Sequence, residues 1–143
     1  MNRIACVEEM IKEECLFLIT KNYLTECNLI EEENLLEGIE ISYVNTLFAR
    51  KINFSYTNRL INNVVKFGFH VSITRLPYND ERDFFSVGVY LSSKGKHLKT
   101  VIENHFDIDE AKAIVHNLAG ILKEDLSDIV TGEKWLEDYY PKW

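Results

Sequence analysis

Residues 69–91, FHVSITRLPYNDERDFFSVGVYL, decide the fold. Phe69, Val71 and Ile73 alternate with His70, Ser72 and Thr74, and a period of two is what a strand buried on one face requires. A strand is therefore predicted over residues 69–76. Pro77 lacks an amide donor and opens the polar run 78–83, so the ladder must break there. Phe85, Val87, Val89 and Leu91 then repeat the alternation against Ser86, Gly88 and Tyr90. The two runs predict an antiparallel hairpin.

Working outward, residues 92–96 are turn chemistry, with Gly95 able to take the positive φ of a tight reversal. A third strand is predicted over residues 97–103. Asp107 and Glu110 have the spacing of a capping box, so a helix starts at Ile108. Its stripe of Ile108, Ala111, Ile114, Val115, Leu118, Ala119 and Leu122 has helical period and needs an apolar sheet face to cover. Residues 3 to about 24 predict a second amphipathic helix beside it, from the spacing of Ile4, Val7, Ile11, Cys15, Leu18 and Ile19.

Other segments are weaker in pattern. The Glu-rich residues 28–38 suggest a short helix ending at Gly38, and residues 58–67 another, with Gly68 as its C-cap. Residues 39–56 mix both periods, but their β-branched and aromatic content favours extended structure and two more strands. Residues 127–132 form a break, and residues 133–140 one or two turns that pack Trp135, Leu136, Tyr139 and Tyr140 on the body before Pro141. The expected fold is α+β: an antiparallel sheet of three to five strands with amphipathic helices on one face, in one globular domain over residues 1–143.

Composition agrees with one core. The chain has 143 residues, 46% of them apolar, with six Gly and two Pro. No apolar run approaches the ~18 residues of a membrane span, and no apolar signal core precedes Glu8 and Glu9. A cytoplasmic protein with no membrane contact is the expectation. Cys6, Cys15 and Cys27 are odd in number and widely spaced, which suggests reduced packing residues.

The net charge of −7 is unevenly spread: −7 over residues 1–49, +6 over residues 50–100 and −6 over residues 101–143. A bipolar sequence can make a bipolar surface that steers a charged partner, or its segments can interleave and neutralise each other. A pI near 5.1 disfavours nucleic acid.

Chemistry-bearing motifs are few. The tripeptide His70-Val-Ser72 resembles the His-x-Ser/Thr motif of two-histidine phosphoesterases, a family that acts on a phosphate ester with two such copies. Neither His97-Leu-Lys, His105-Phe-Asp nor His116-Asn-Leu supplies the second. No metal-ligand spacing or phosphate-cradling glycine loop is visible, and no cofactor is implied. The polar side of the predicted hairpin carries His70, Ser72, Thr74, Ser86, Gly88 and Tyr90, rimmed by Arg75, Arg82, Lys94, Lys96 and Lys99.

Two classes of function follow. The first is a non-enzymatic binding protein that docks on another protein through acidic residues such as Glu31, Glu32, Glu33 and Glu37, as an inhibitor, immunity or anti-defence factor does. Small size and many Ile, Asn, Lys and Glu residues fit a phage or mobile-element protein. The second is a binder of an anionic small molecule such as a nucleotide, held by His70, Ser72, Thr74, Arg75, Tyr90 and Lys99. A homodimer is compatible with either.

Overall fold

The computed structural model describes residues 2–136. It begins with helix α1 (Arg3–Glu14), whose N-cap Asn2 side chain accepts the Ala5 amide at 2.8 Å, and the short α2 (Leu16–Thr20). Four strands follow, β1 (Leu24–Leu29), β2 (Leu35–Asn45), β3 (Arg50–Ile61) and β4 (Val64–Arg75). A 3₁₀ turn at Glu81–Asp83 leads into β5 (Phe84–Ser86) and helix α3 (Val87–Ser93). The chain continues through β6 (Val101–Glu103), helix α4 (Ile108–Gly120), a π turn (Ile121–Asp125) and α5 (Ser127–Val130).

The fold is α+β, and the sheet is antiparallel throughout. Strands β1 to β5 lie in chain order, while β6 pairs with the other end of β4. Its backbone is the long β3–β4 hairpin, paired without a register break from Ile61 opposite Val64 to Arg50 opposite Arg75. Asn62 and Asn63 form its turn, with φ of 50° and 63°. Two consecutive positive φ angles make the type I′ turn whose twist matches the flanking strands, and asparagine tolerates them better than other side chains.

One face of the sheet carries Ile39, Ile41, Tyr43, Ile52, Phe54, Tyr56, Phe69, Val71 and Ile73, all buried in a single cluster with the helices. Val7, Met10 and Ile11 of α1 and Ala111, Ile114, Val115 and Leu118 of α4 close over it. Asp107 caps α4 as its spacing requires, accepting the Glu110 amide at 3.0 Å. The Glu110 carboxylate leaves the expected box and pairs with Lys99 instead.

Several expected elements are different. The helix expected over residues 3 to about 24 is interrupted at Cys15 and ends at Thr20, leaving Ile19 exposed, and the expected break at residues 127–132 contains α5. Residues 28–38 are not helical: they end β1, turn and begin β2, and Gly38 sits where an added Cβ would lie 3.1 Å from Ile30 Cβ. Residues 58–67 are not a helix, and Gly68 is no C-cap but lies within β4, because the Asn62-Asn63 turn joins two strands there. The strand expected to run to Leu91 stops at Ser86 and becomes α3, since Val87, Tyr90 and Leu91 also fit one helical face. Of the third strand, only Val101–Glu103 forms. Trp135 packs in the core and Leu136 against it; the expected contacts of Tyr139 and Tyr140 lie outside the described residues.

The C-terminal part of the described chain is fastened by Arg50. This side chain is buried, donating to Ile129 O and Lys134 O at 2.9 Å each, with its guanidinium 4.8 Å from the Trp135 ring centre. Carbonyls and an aromatic face thus replace a carboxylate partner, and burial lowers the Arg50 pKa. Gly132 fits beneath at φ +80°, where a Cβ would come within 2.9 Å of Phe48 O.

Candidate functional site

The second face of the sheet is built by the same alternation that builds the core. Register places Glu26, Ser42, Asn53, Ser72 and Ser86 in one row across five strands. Asn28, Glu40, Ser55 and His70 make the next row. Leu24, Val44, Lys51, Thr74 and Phe84 make the row on its other side. The apolar faces of the two long helices α1 and α4 both join the opposite side, so neither of them covers this face.

Hydrogen bonds order the polar rows. Ser42 Oγ donates to Asn53 Oδ1 at 2.7 Å, and His70 Nε2 lies 3.0 Å from Ser86 Oγ. Partial burial holds His70 below the ordinary imidazole pKa, so its neutral form is favoured and one ring nitrogen is free to accept. Ser42 and Ser72 are small side chains sunk among longer ones, 4% and 5% exposed. By contrast, Leu24 and Phe84 stand out at 78% and 43% exposure.

The residues expected to hold an anion separate. His70, Ser72 and Thr74 do share the open face. Tyr90 does not: it lies in α3, buried against Phe85, while Val89, expected inward, is exposed. Arg75 belongs to the helix-side face, where it pairs with Asp83 at 2.8 Å and stacks on Trp135 at 5.1 Å. Backbone amides, Asn79 first, and then Arg75 hold the Asp83 carboxyl below the usual range. Lys99 is engaged by Glu110 of α4. Beside the His70–Ser86 contact there is a cavity of about 410 Å³ whose lining includes Ser86, Ser92, Lys96, His97 and Thr100.

The acidic residues also divide. Glu31, Glu32 and Glu33 are exposed in the β1–β2 connection, Glu32 pairing with Arg59 at 2.9 Å. Glu37 turns to the helix side, accepting from Arg3 at 2.8 Å and from the Tyr56 hydroxyl at 2.9 Å. Lys96 faces Asp125 at 3.7 Å, so the basic middle of the sequence is partly met by both acidic flanks. Interleaving does not reach Glu26, Glu31, Glu33 and Glu40, which have no ion pair among the described residues.

The open-face members Glu26, Glu40, Ser42, Asn53 and Ser55 escaped the sequence reading. Their signal was present in the alternation of Glu40 and Ser42 with Ile39 and Ile41. Of the cysteines, Cys15 is buried, its thiol pushed up to about 12, and Cys6 is half-buried. Cys27 departs from the expected packing role, since it is exposed on β1. Among the described residues no group of three or more His, Cys, Asp or Glu is placed to hold a metal ion, and no helix is long and apolar enough to cross a membrane. Comparison with protein-family models, with curated proteins and with solved structures finds no significant match.

Proposed function

We propose that this protein is a non-enzymatic binding protein that docks the open face of its sheet and its acidic β1–β2 hairpin on another protein, as an inhibitor, immunity or anti-defence factor does. The observation that carries this reading is the sheet face opposite α1 and α4, where an ordered polar row lies beside exposed Leu24 and Phe84. Such a face offers both some desolvatable area and fixed hydrogen-bonding groups, and protein interfaces draw on both. The unpaired glutamates at its margin add a sign to it and favour a basic partner through steering and register.

Capture from the source cell tests this reading when it is done with variants. A double variant, Glu40→Lys with Phe84→Ser, alters the open face, whereas Lys112→Glu alters the exposed side of α4. The captured partner should bind the double variant at least about tenfold more weakly and Lys112→Glu unchanged. A partner that ignores the first change and responds to the second contradicts the proposal.

A second reading rests on the 410 Å³ cavity, whose Ser86, Lys96 and His97 suit a small anion such as a nucleotide. A native mass spectrum of the purified protein separates the two readings. Extra mass released on denaturation favours the ligand, and retention of that mass in Lys96→Ala and His97→Ala variants counts against this cavity.

A further inference from the structure

The two margins of the sheet are finished differently. On one side β5 and β6 have three residues each, and β5 runs directly into α3. Short strands and an adjacent helix are common ways of closing a sheet edge. On the other side β1 has six residues, all exposed, with neither Pro nor Lys among them. Its only charged side chain is Glu26.

The direction of its hydrogen-bonding groups follows from one bond. Ile30 N–H donates to Gly38 O at 3.0 Å, and the same register continues through Asn28 opposite Glu40 and Glu26 opposite Ser42. In an antiparallel ladder, residues that exchange bonds with the neighbour alternate with residues that do not. Residues in phase with Ile30 therefore bond to β2, and Thr25, Cys27 and Leu29 turn their N–H and C=O groups outward.

Charge decides what fits there. Residues 22–49 contain six Glu and no Lys, Arg or Asp. Pairing with a second copy would bring two acidic hairpins together, because opposed residues must share a face and the symmetric registers centre on Glu26 or Cys27. An occupant of opposite sign meets no such repulsion. On the open-face side of β1 it would find Glu26, and on the helix side Leu29 and the Thr25 methyl group.

We propose that β1 is a strand-addition site, at which an extended segment of a partner protein with Lys or Arg alternating with apolar residues pairs with the outward groups of Thr25, Cys27 and Leu29. This rests on the docking reading and names its partner chemistry. Main-chain bonds supply affinity in such an arrangement, and alternate side chains supply the choice of sequence.

A seven-residue peptide alternating Lys and Val is the probe, with a Glu/Val peptide as its counterpart. The Lys/Val peptide should bind and slow amide exchange at Thr25, Cys27 and Leu29 at least about tenfold, and Glu26→Lys should weaken it roughly fivefold. Cys27→Pro removes an outward donor while sparing the ladder to β2, so it should abolish binding with the circular dichroism unchanged. Thr25→Pro does the same at a second position if the first variant fails to fold. Equal binding of both peptides, binding without protection of β1, or outward amides already protected in a peptide-free dimer would each overturn the proposal. Absence of peptide binding while Glu40→Lys with Phe84→Ser still releases the captured partner overturns strand addition alone. If that double variant also leaves capture unchanged, the docking reading falls with it.

Discussion

The two faces of one strand show how this sheet divides its labour. In β3, Ile52, Phe54 and Tyr56 have no exposed surface, while Lys51, Asn53, Ser55 and Thr57 between them are only half-buried. Both sets ride on the same backbone and the same ladder to β2 and β4. The helix-side set excludes water with carbon, and the open-side set keeps groups that another molecule can engage. Stability should therefore respond to one set and recognition to the other, residue by residue along a single strand.

The largest effect is expected at the centre of the helix-side face. Phe54→Ala should cost ~4 kcal/mol in urea unfolding through lost burial and a residual cavity, and its neighbour Ser55→Ala less than ~0.5 kcal/mol. Equal losses at the two positions would mean that the open face is packed as tightly as the core. Arg50→Met comes next, at ~3 kcal/mol, because it strips buried charge-assisted bonds from the carbonyls of residues 129 and 134. Its Trp135 emission should also move to the red as the ring loses its cover.

Asn58 sharpens the comparison with a change of opposite sign. It lies on the helix side at 6% exposure, and its Oδ1 has no hydrogen-bond partner among the described residues. Asn58→Leu should stabilise the fold by ~1 kcal/mol, and a loss of similar size would show that the amide is satisfied. The smallest effect belongs to His70 on the open face. Burial lowers its folded pKa, so the folded state binds fewer protons than the unfolded chain. The associated stability is complete above the unfolded value near 6.5 and is lost as pH falls through it. Melting temperature between pH 7.5 and 5 should decline slightly more in the native protein than in His70→Gln, and partial solvation keeps the difference small.

The elements legible in the sequence were those in which a period and a boundary agreed. Helix α4 combines an Asp107 cap with a long apolar stripe, and the first half of the central hairpin alternates cleanly from Phe69 to Ile73. The misread segments are those where local chemistry has two solutions. Val87, Val89 and Leu91 fit a strand, whereas Val87, Tyr90 and Leu91 fit a helix, and tertiary packing chose the latter. Asn62-Asn63 interrupts a run that otherwise looks helical, and the turn signal was in those two residues. The open face was half legible: His70, Ser72 and Thr74 emerge from β4 alone. Glu26, Ser42 and Asn53 join them only through a register that no single strand contains. Arg50 and Trp135, 85 positions apart, meet through the folded chain end and leave no local pattern.

Carboxyl labelling of the protein with and without its captured partner, read residue by residue by mass spectrometry, tests the central claim most directly. Docking through the open face and the acidic hairpin predicts reduced labelling at Glu26, Glu31, Glu33 and Glu40, with Glu9 and Glu13 on α1 and Asp109 on α4 unchanged. Protection of the helix carboxylates, with the hairpin glutamates still fully labelled, would contradict it and move the interface to the other side of the molecule.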